Sequence, residues 1–299
     1  LADPNHLPRL IALLVKAPAD AARGGAERAV TQVALKTTDE TKRTRSILDA
    51  LAREKDVDKR GALLRALAGT GGLQALAAVQ KALASPAPDE RDVALRALAT
   101  WPDAAGVEPL FEQFRTTTNA THRVLSLRGF VRLLGPPTQP SPDACVAWFQ
   151  RGFEEARDAA EKKLLLGGLM HVPHADALEL AMGQLGDPDV SAEAGLAAVG
   201  IGRALAGISP ESTVAAMKRV AKDGHSSAVR KQAKELLKRV GKFEDYIVSW
   251  HVAGPYRQGG KHGKHLIDIP FPPEQDGGAG AQWRTLPAKS SAKQPCWML

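Results

Sequence analysis

Arg60-Gly61-Ala62-Leu63-Leu64-Arg65-Ala66-Leu67-Ala68 and Arg91-Asp92-Val93-Ala94-Leu95-Arg96-Ala97-Leu98-Ala99 share Arg, Leu, Arg, Ala, Leu and Ala at an offset of 31 residues. Arg123 to Val131, reading RVLSLRGFV, continues the register 32 residues later. A period of this length is the mark of a stacked repeat, whose units cannot bury their apolar faces alone and need their neighbours to do so.

Working outward, the small residue of the pattern recurs as Ala34, Ala66, Ala97, Gly129, Gly168, Ala198 and Ala233. The residue after it is Leu35, Leu67, Leu98, Phe130, Leu169, Val199 and finally Lys234. Small residues beside large apolar ones let two helix backbones approach while the large side chain fills the remaining volume. Between the columns lie further amphipathic stretches, such as Gly72 to Leu83 and Val107 to Phe114. Boundary chemistry separates them: Ser85-Pro86-Ala87-Pro88-Asp89, Ser141-Pro142-Asp143, Asp187-Pro188-Asp189 and Ser209-Pro210-Glu211 start or stop helices, and Gly69-Thr70-Gly71-Gly72 ends one. The expectation is an all-α chain: an α-α superhelix of about seven antiparallel helical hairpins over residues 4–241.

Composition agrees. The 299 residues are 44% hydrophobic and 24% charged, with a mean hydropathy of -0.21 and only 5% aromatic residues, which predicts a core of Leu, Ala and Val. No apolar run approaches the 18 or so residues of a membrane span. The first residue is Leu1 and the last are Cys296-Trp297-Met298-Leu299, which reads as a chain cut at both ends.

Asp89, Val93 and Ala97, and again Val229, Arg230 and Ala233, follow the second-helix pattern of a known family. On these residues the chain resembles the HEAT and HEAT-like (PBS-lyase-type) repeat proteins over roughly residues 4 to 241. It departs from them in carrying the Arg directly after Val only as Arg230 at these positions. The resemblance implies a noncatalytic scaffold or protein-binding solenoid.

A different texture follows Gly241. Seven of the 14 aromatic residues, Phe243, Tyr246, Trp250, Tyr256, Phe271, Trp283 and Trp297, fall there, with short β-favourable runs around Ile247, Val248, Val252, Leu266, Ile267 and Ile269. Ile247 to Tyr256, Phe271-Pro272-Pro273-Glu274 and Trp283-Arg284 look like the opening of a β-sandwich module found beside HEAT-like repeats in large secreted bacterial proteins, similar to carbohydrate-associated jelly rolls. Residues 242–299 are thus expected to be a short β and loop segment, the truncated start of such a domain. This resemblance alone implies an extracytoplasmic setting and a carbohydrate partner bound downstream.

The candidate chemistry is sparse. Cys145 and Cys296 fall in different expected domains, which argues against a disulfide framework, and no paired CxxC metal site exists. Asn119-Ala120-Thr121 matches a glycosylation sequon, a triplet that often arises by chance. His171 and His174, and His262 and His265, share an i, i+3 spacing, but a proline interrupts the first pair and two lysines flank the second. Trp101 and Trp148 with Asp103 or Asp143 could imitate a HEAT-like DNA glycosylase; their places beside core residues favour packing. No nucleophile elbow, phosphate loop or catalytic carboxylate pair is present. The expectation is no enzyme, no cofactor, no metal and no catalytic residue.

Charge supplies the one candidate binding site. Lys218 to Lys242 holds nine basic residues against Asp223 and Glu235, a surplus of +7 that equals the formal charge of the whole chain, whose pI is near 9.5. Lys218, Arg230, Lys231, Lys234 and Lys238 form a candidate basic patch. Such a patch suits nucleic acid, but it equally suits the solvated face of a terminal repeat, and Lys234 in place of the apolar column favours that cap. Three functions remain in order: a scaffold binding a protein partner or an adjacent domain, the helical part of a secreted carbohydrate-active protein, and a nucleic-acid-binding solenoid.

Overall fold

The structure is a computed structural model, and it describes residues 3–18, 21–241, 249–260, 266, 269–275, 280–287, 289–290 and 295–296. Phe243, Tyr246, Ile247, Val248, Ile267, His262, His265 and Trp297 therefore lie outside the described residues. Two compact units divide the chain, residues 1–172 and 173–299.

Among the described residues, the first unit holds ten α-helices in five hairpins: α1 (Leu7–Lys16) with α2 (Ala21–Ala34), α3 (Glu40–Arg53) with α4 (Val57–Thr70), α5 (Leu73–Leu83) with α6 (Pro88–Ala99), α7 (Val107–Thr116) with α8 (Ala120–Leu133), and α9 (Pro142–Glu155) with α10 (Ala159–Leu169). The second holds α11 (Ala175–Gly183) with α12 (Ser191–Leu205), and α13 (Pro210–Asp223) with α14 (Ser227–Gly241). The all-α hairpin repeat read from the sequence is what the chain forms. Each small residue of the column sits in the second helix of a hairpin and is buried.

Side-chain capping explains several helix starts. Asp39, Asp56, Asn119 and Asp158 each accept a backbone N–H at 2.9–3.1 Å from the third residue beyond them. Ser141 caps α9 in the same way, with Pro142 opening the helix. Ser209 differs from expectation: its hydroxyl bonds the Ser212 hydroxyl and makes no cap bond, although Pro210 still opens α13. Gly71 and Gly72, at φ 68° and 98°, turn the chain out of α4.

The second helices α2, α4, α6, α8 and α10 pack side by side in order, as do α12 and α14 in the second unit. Small residues set this approach. A Cβ at Gly129 would lie 3.1 Å from the Ala99 Cα and from Leu110, and one at Gly61 would lie 2.5 Å from Val93 Cγ1. Val229 stands over Gly195 in the same way, at 2.7 Å, so the valines of the repeat pattern seat on glycines of the preceding second helix.

A second device recurs at the corners. Arg23, Arg43, Arg60, Arg91 and Arg230 each fold back six residues to donate to the carbonyls of Ala17, Thr37, Glu54, Ser85 and Gly224, at 2.6–3.0 Å. These bonds satisfy carbonyls that the preceding helix end leaves without a partner. Arg91, two residues before Val93, makes the same fold-back that Arg230 makes directly after Val229. Arg123 is the buried version: it donates to the carbonyls of Phe114 and Glu155 and binds both oxygens of Glu161 on α10.

The core of the first unit is more aromatic than composition suggests. Trp101, Phe111, Phe114, Phe130 and Phe149 are fully buried, with Phe111 and Phe130 5.5 Å apart and Phe130 and Phe149 6.4 Å apart. The core of the second unit is aliphatic, built on Val199, Ile201, Leu205, Met217, Val220 and Leu236. After α14, the described residues form two antiparallel two-stranded ribbons, β1 (Ser249–Ala253) with β2 (Trp283–Pro287) and β3 (Lys289–Ser290) with β4 (Pro295–Cys296). Among the described residues no helix is long and apolar enough to cross a membrane.

Candidate functional site

The candidate basic residues separate into two roles. Lys231, Lys234 and Lys238 lie at i, i+3 and i+7 on α14 and are exposed, forming one cationic stripe. Lys218 is exposed on the antiparallel neighbour α13. Arg230 belongs to the frame: its guanidinium closes the α13–α14 corner on the carbonyls of Gly224 and His225. Lys234 is exposed where its counterparts Leu67, Leu98, Phe130 and Val199 are buried.

The sequence repeat carries a second set of arginines that charge counting does not single out. Arg65, Arg96 and Arg128 precede the small residue by one position on α4, α6 and α8, three helices that pack in that order. Arg65 binds Glu27 of α2 through Nη2 at 2.5 Å and through Nε at 3.1 Å to both oxygens. Arg96 binds Asp92 at 2.8 Å, one helical turn earlier, and His122 Nε2 lies 3.2 Å from the other Asp92 oxygen. The hydrogen bond from Arg96, with help from its charge and from His122, holds the Asp92 carboxyl below its ordinary value against the opposing effect of burial. Arg128 is exposed and makes no ion pair or hydrogen bond among the described residues. One turn further on, Arg132 donates to the Trp101 carbonyl at 2.6 Å and the Ala99 carbonyl at 3.2 Å, and burial pushes its guanidinium below the ordinary value.

This face offers planar, permanently charged donors suited to carboxylates. Beside it, Asp89, Arg91, Asp92, Thr116 to Asn119 and His122 line a polar hollow of about 470 Å³. In the second unit, a groove of about 680 Å³ runs between α11 and α13, lined by Leu178, Met182, Ala215, Ala216, Glu179 and Arg219 among others.

Other candidate residues have structural partners. Trp101 is fully buried and donates from Nε1 to Asp103, whose carboxylate also accepts from Ala105 N. Trp148 is half-buried 5.4 Å from Phe111, and the Arg151 guanidinium lies 4.4 Å over each ring. Asp143 stands in the first turn of α9. Asn119 of the sequon caps α8, and His174 Nδ1 accepts from Asp176 N at the start of α11. Cys145 is buried, and burial raises its thiol above the ordinary value.

No protein-family description matches the chain. No curated protein matches it either. Among solved structures, it is similar to an engineered protein at 20% identity, covering 79% of this chain and 68% of that one with a TM-score of 0.40. It is also similar to the complex of CpcE and CpcF of phycocyanin lyase from Nostoc (18% identity, 80% of this chain and 95% of that one, TM-score 0.38). Human deoxyhypusine hydroxylase is similar at 14% identity over 80% of this chain and 97% of that one, with a TM-score of 0.33.

Proposed function

We propose that the chain is a noncatalytic scaffold that binds a protein partner along the exposed face of its second helices. One observation carries this reading. Successive second helices present chemically equivalent side chains in one register, Arg65, Arg96 and Arg128, on a frame whose corners are fixed by fold-back arginines. A rigid, periodic, multi-point surface suits recognition of an extended polypeptide better than it suits enclosure of a reacting group, which needs a concave pocket with converging polar groups. The test is purification of the full chain from its native cell under mild crosslinking, with the crosslinked positions mapped. A stoichiometric protein crosslinked to α4, α6 or α8 is expected. Crosslinks confined to the first helices of the hairpins, or the absence of any stoichiometric protein, would overturn the reading.

The helical part of a secreted carbohydrate-associated protein is a second reading, favoured by Trp283, which is 55% exposed at the start of β2 and offers an aromatic face to a sugar ring. Saturable binding of the full chain to a glycan array, lost in Trp283→Ala, would support it; an array without signal would discard it.

A further inference from the structure

We propose that the Arg65–Arg96–Arg128 row seats an acidic polypeptide segment in polyproline II conformation, with one carboxylate on every third residue. The proposal rests on the protein-binding reading and names the chemistry of the partner. Spacing is the first argument. The three arginines occupy the same register on adjacent packed helices, 31 and 32 residues apart in sequence, and packed helices lie about 8–10 Å apart. A polyproline II chain has three residues per turn and rises about 3.1 Å per residue, so side chains three apart fall on one face about 9 Å from each other. An extended strand does not match, because its residues three apart point to opposite faces.

Availability is the second argument. Arg128 has no partner among the described residues, so a carboxylate can bind it without displacing anything. Arg96 and Asp92 are 52% and 36% exposed, and a pair so open costs little to rearrange. Arg65 keeps Glu27 on Nε and Nη2, and its Nη1, which makes no hydrogen bond among the described residues, is the donor left for the third carboxylate. Val124, 38% exposed one turn before Arg128 on α8, supplies an apolar contact for the prolines of such a segment.

The third argument separates polypeptide from nucleic acid. Glu27 and Asp92 interleave with the arginines on the same face. A continuous polyphosphate would meet these carboxylates at every step, whereas carboxylates spaced by the repeat avoid them. No Phe, Tyr or Trp is exposed on α4, α6 or α8 to stack a base.

The test uses the full chain and a fluorescein-labelled peptide of four Glu-Pro-Pro triplets, read by fluorescence anisotropy. Saturable binding is expected, and Arg128→Glu should weaken it about tenfold or more, as reversal of an interfacial charge does. Arg128 is exposed and unpaired, so this variant leaves the fold intact; Lys81→Glu, on the exposed side of α5, should bind as the parent does. An isomer with its four glutamates contiguous should bind more weakly than the spaced peptide. Equal binding of the two isomers, indifference to Arg128→Glu, no binding, or tighter binding of an oligothymidylate of the same length would each overturn the proposal. Crosslinking of a native partner to the second helices that persists in Arg128→Glu would overturn this proposal alone and leave the scaffold reading standing.

Discussion

At the residue scale, the repeat assigns two arginines of one nine-residue motif to different work. Arg60, Arg91 and Arg123 fold back onto carbonyls at or near the end of the preceding helix, whereas Arg96 and Arg128 are exposed and Arg65, half-buried, is held by Glu27. Both identities are visible in the sequence, but their roles depend on which side of the helix the hairpin covers, and that is a tertiary fact. The small column, by contrast, is fully legible, because burial of a glycine or alanine at a fixed period has one packing explanation. Leu35 shows its limit: the position is buried in the later hairpins through Val199 but 48% exposed here, because α2 ends at Ala34. Adjacent glycines of α10 give a direct test. A Cβ at Gly167 meets nothing within 4 Å, whereas one at Gly168 collides with Val131 and lies 2.9 Å from the Phe149 ring. Gly167→Ala should stabilise by about 0.5–1 kcal/mol through helix propensity and reduced unfolded-state entropy. Gly168→Ala receives the same gain but faces overpacking of about 1–3 kcal/mol, so it should be destabilised on balance. Urea midpoints of the two variants must therefore move in opposite directions, and a shared direction would remove Gly168 from the column.

At the element scale, ion pairs link neighbouring second helices, and their burial decides what they are worth. Arg60 binds Glu90 of α6 at 2.6 Å, and the Ser85 hydroxyl donates to the other oxygen at 2.7 Å. The Ser85 bond first, and then Arg60, hold the Glu90 carboxyl below its ordinary value in spite of burial. A carboxyl lowered in the folded state contributes stability that is fully present above its unfolded pKa, about 4.3, and that stability is lost as the pH falls through the lower folded value. Glu90→Gln should therefore cost about 1.5–3 kcal/mol at neutral pH, the range for hydrogen bonds to charged groups, and the gap from the parent should close in acid. A gap independent of pH would show that the variant acts by packing. The Arg123–Glu161 pair lies deeper, with side chains 6% and 9% exposed. Removing one partner strands a buried charge and should cost about 3–5 kcal/mol, whereas replacing both by Met and Leu should recover most of it. A double-mutant cycle read by chemical denaturation decides between them. None of these links is legible in the sequence, since 30 residues separate Arg60 from Glu90 and 38 separate Arg123 from Glu161, and only the stacking of hairpins brings them together.

At the scale of the whole molecule, the change of texture after Gly241 marks a change in how backbone bonds are satisfied. Within α4, α6 and α8, the ladder bonds are local and each helix buries a set of core side chains. In the β1–β2 ribbon the paired residues lie 30 to 38 positions apart, with Ser249 opposite Pro287 and Ala253 opposite Trp283. The sequence announces strand and loop there through its aromatics, prolines and glycines, yet it does not announce the pairing, because a two-stranded register needs a covered face to fix it and Trp283 is exposed. Two strands alone are marginal in water, where a ribbon opens at little cost and a helix in a packed stack opens only with its neighbours. Amide exchange in the full chain should separate the two. Trp250 to Ala253 should exchange about a thousandfold faster than Leu63 to Ala68, since a difference in opening free energy near 4 kcal/mol corresponds to that factor. Equal protection of the two segments would mean that the ribbon is covered by something heavier than its own two strands, and the β-rich segment would then have to be treated as a folded domain in its own right.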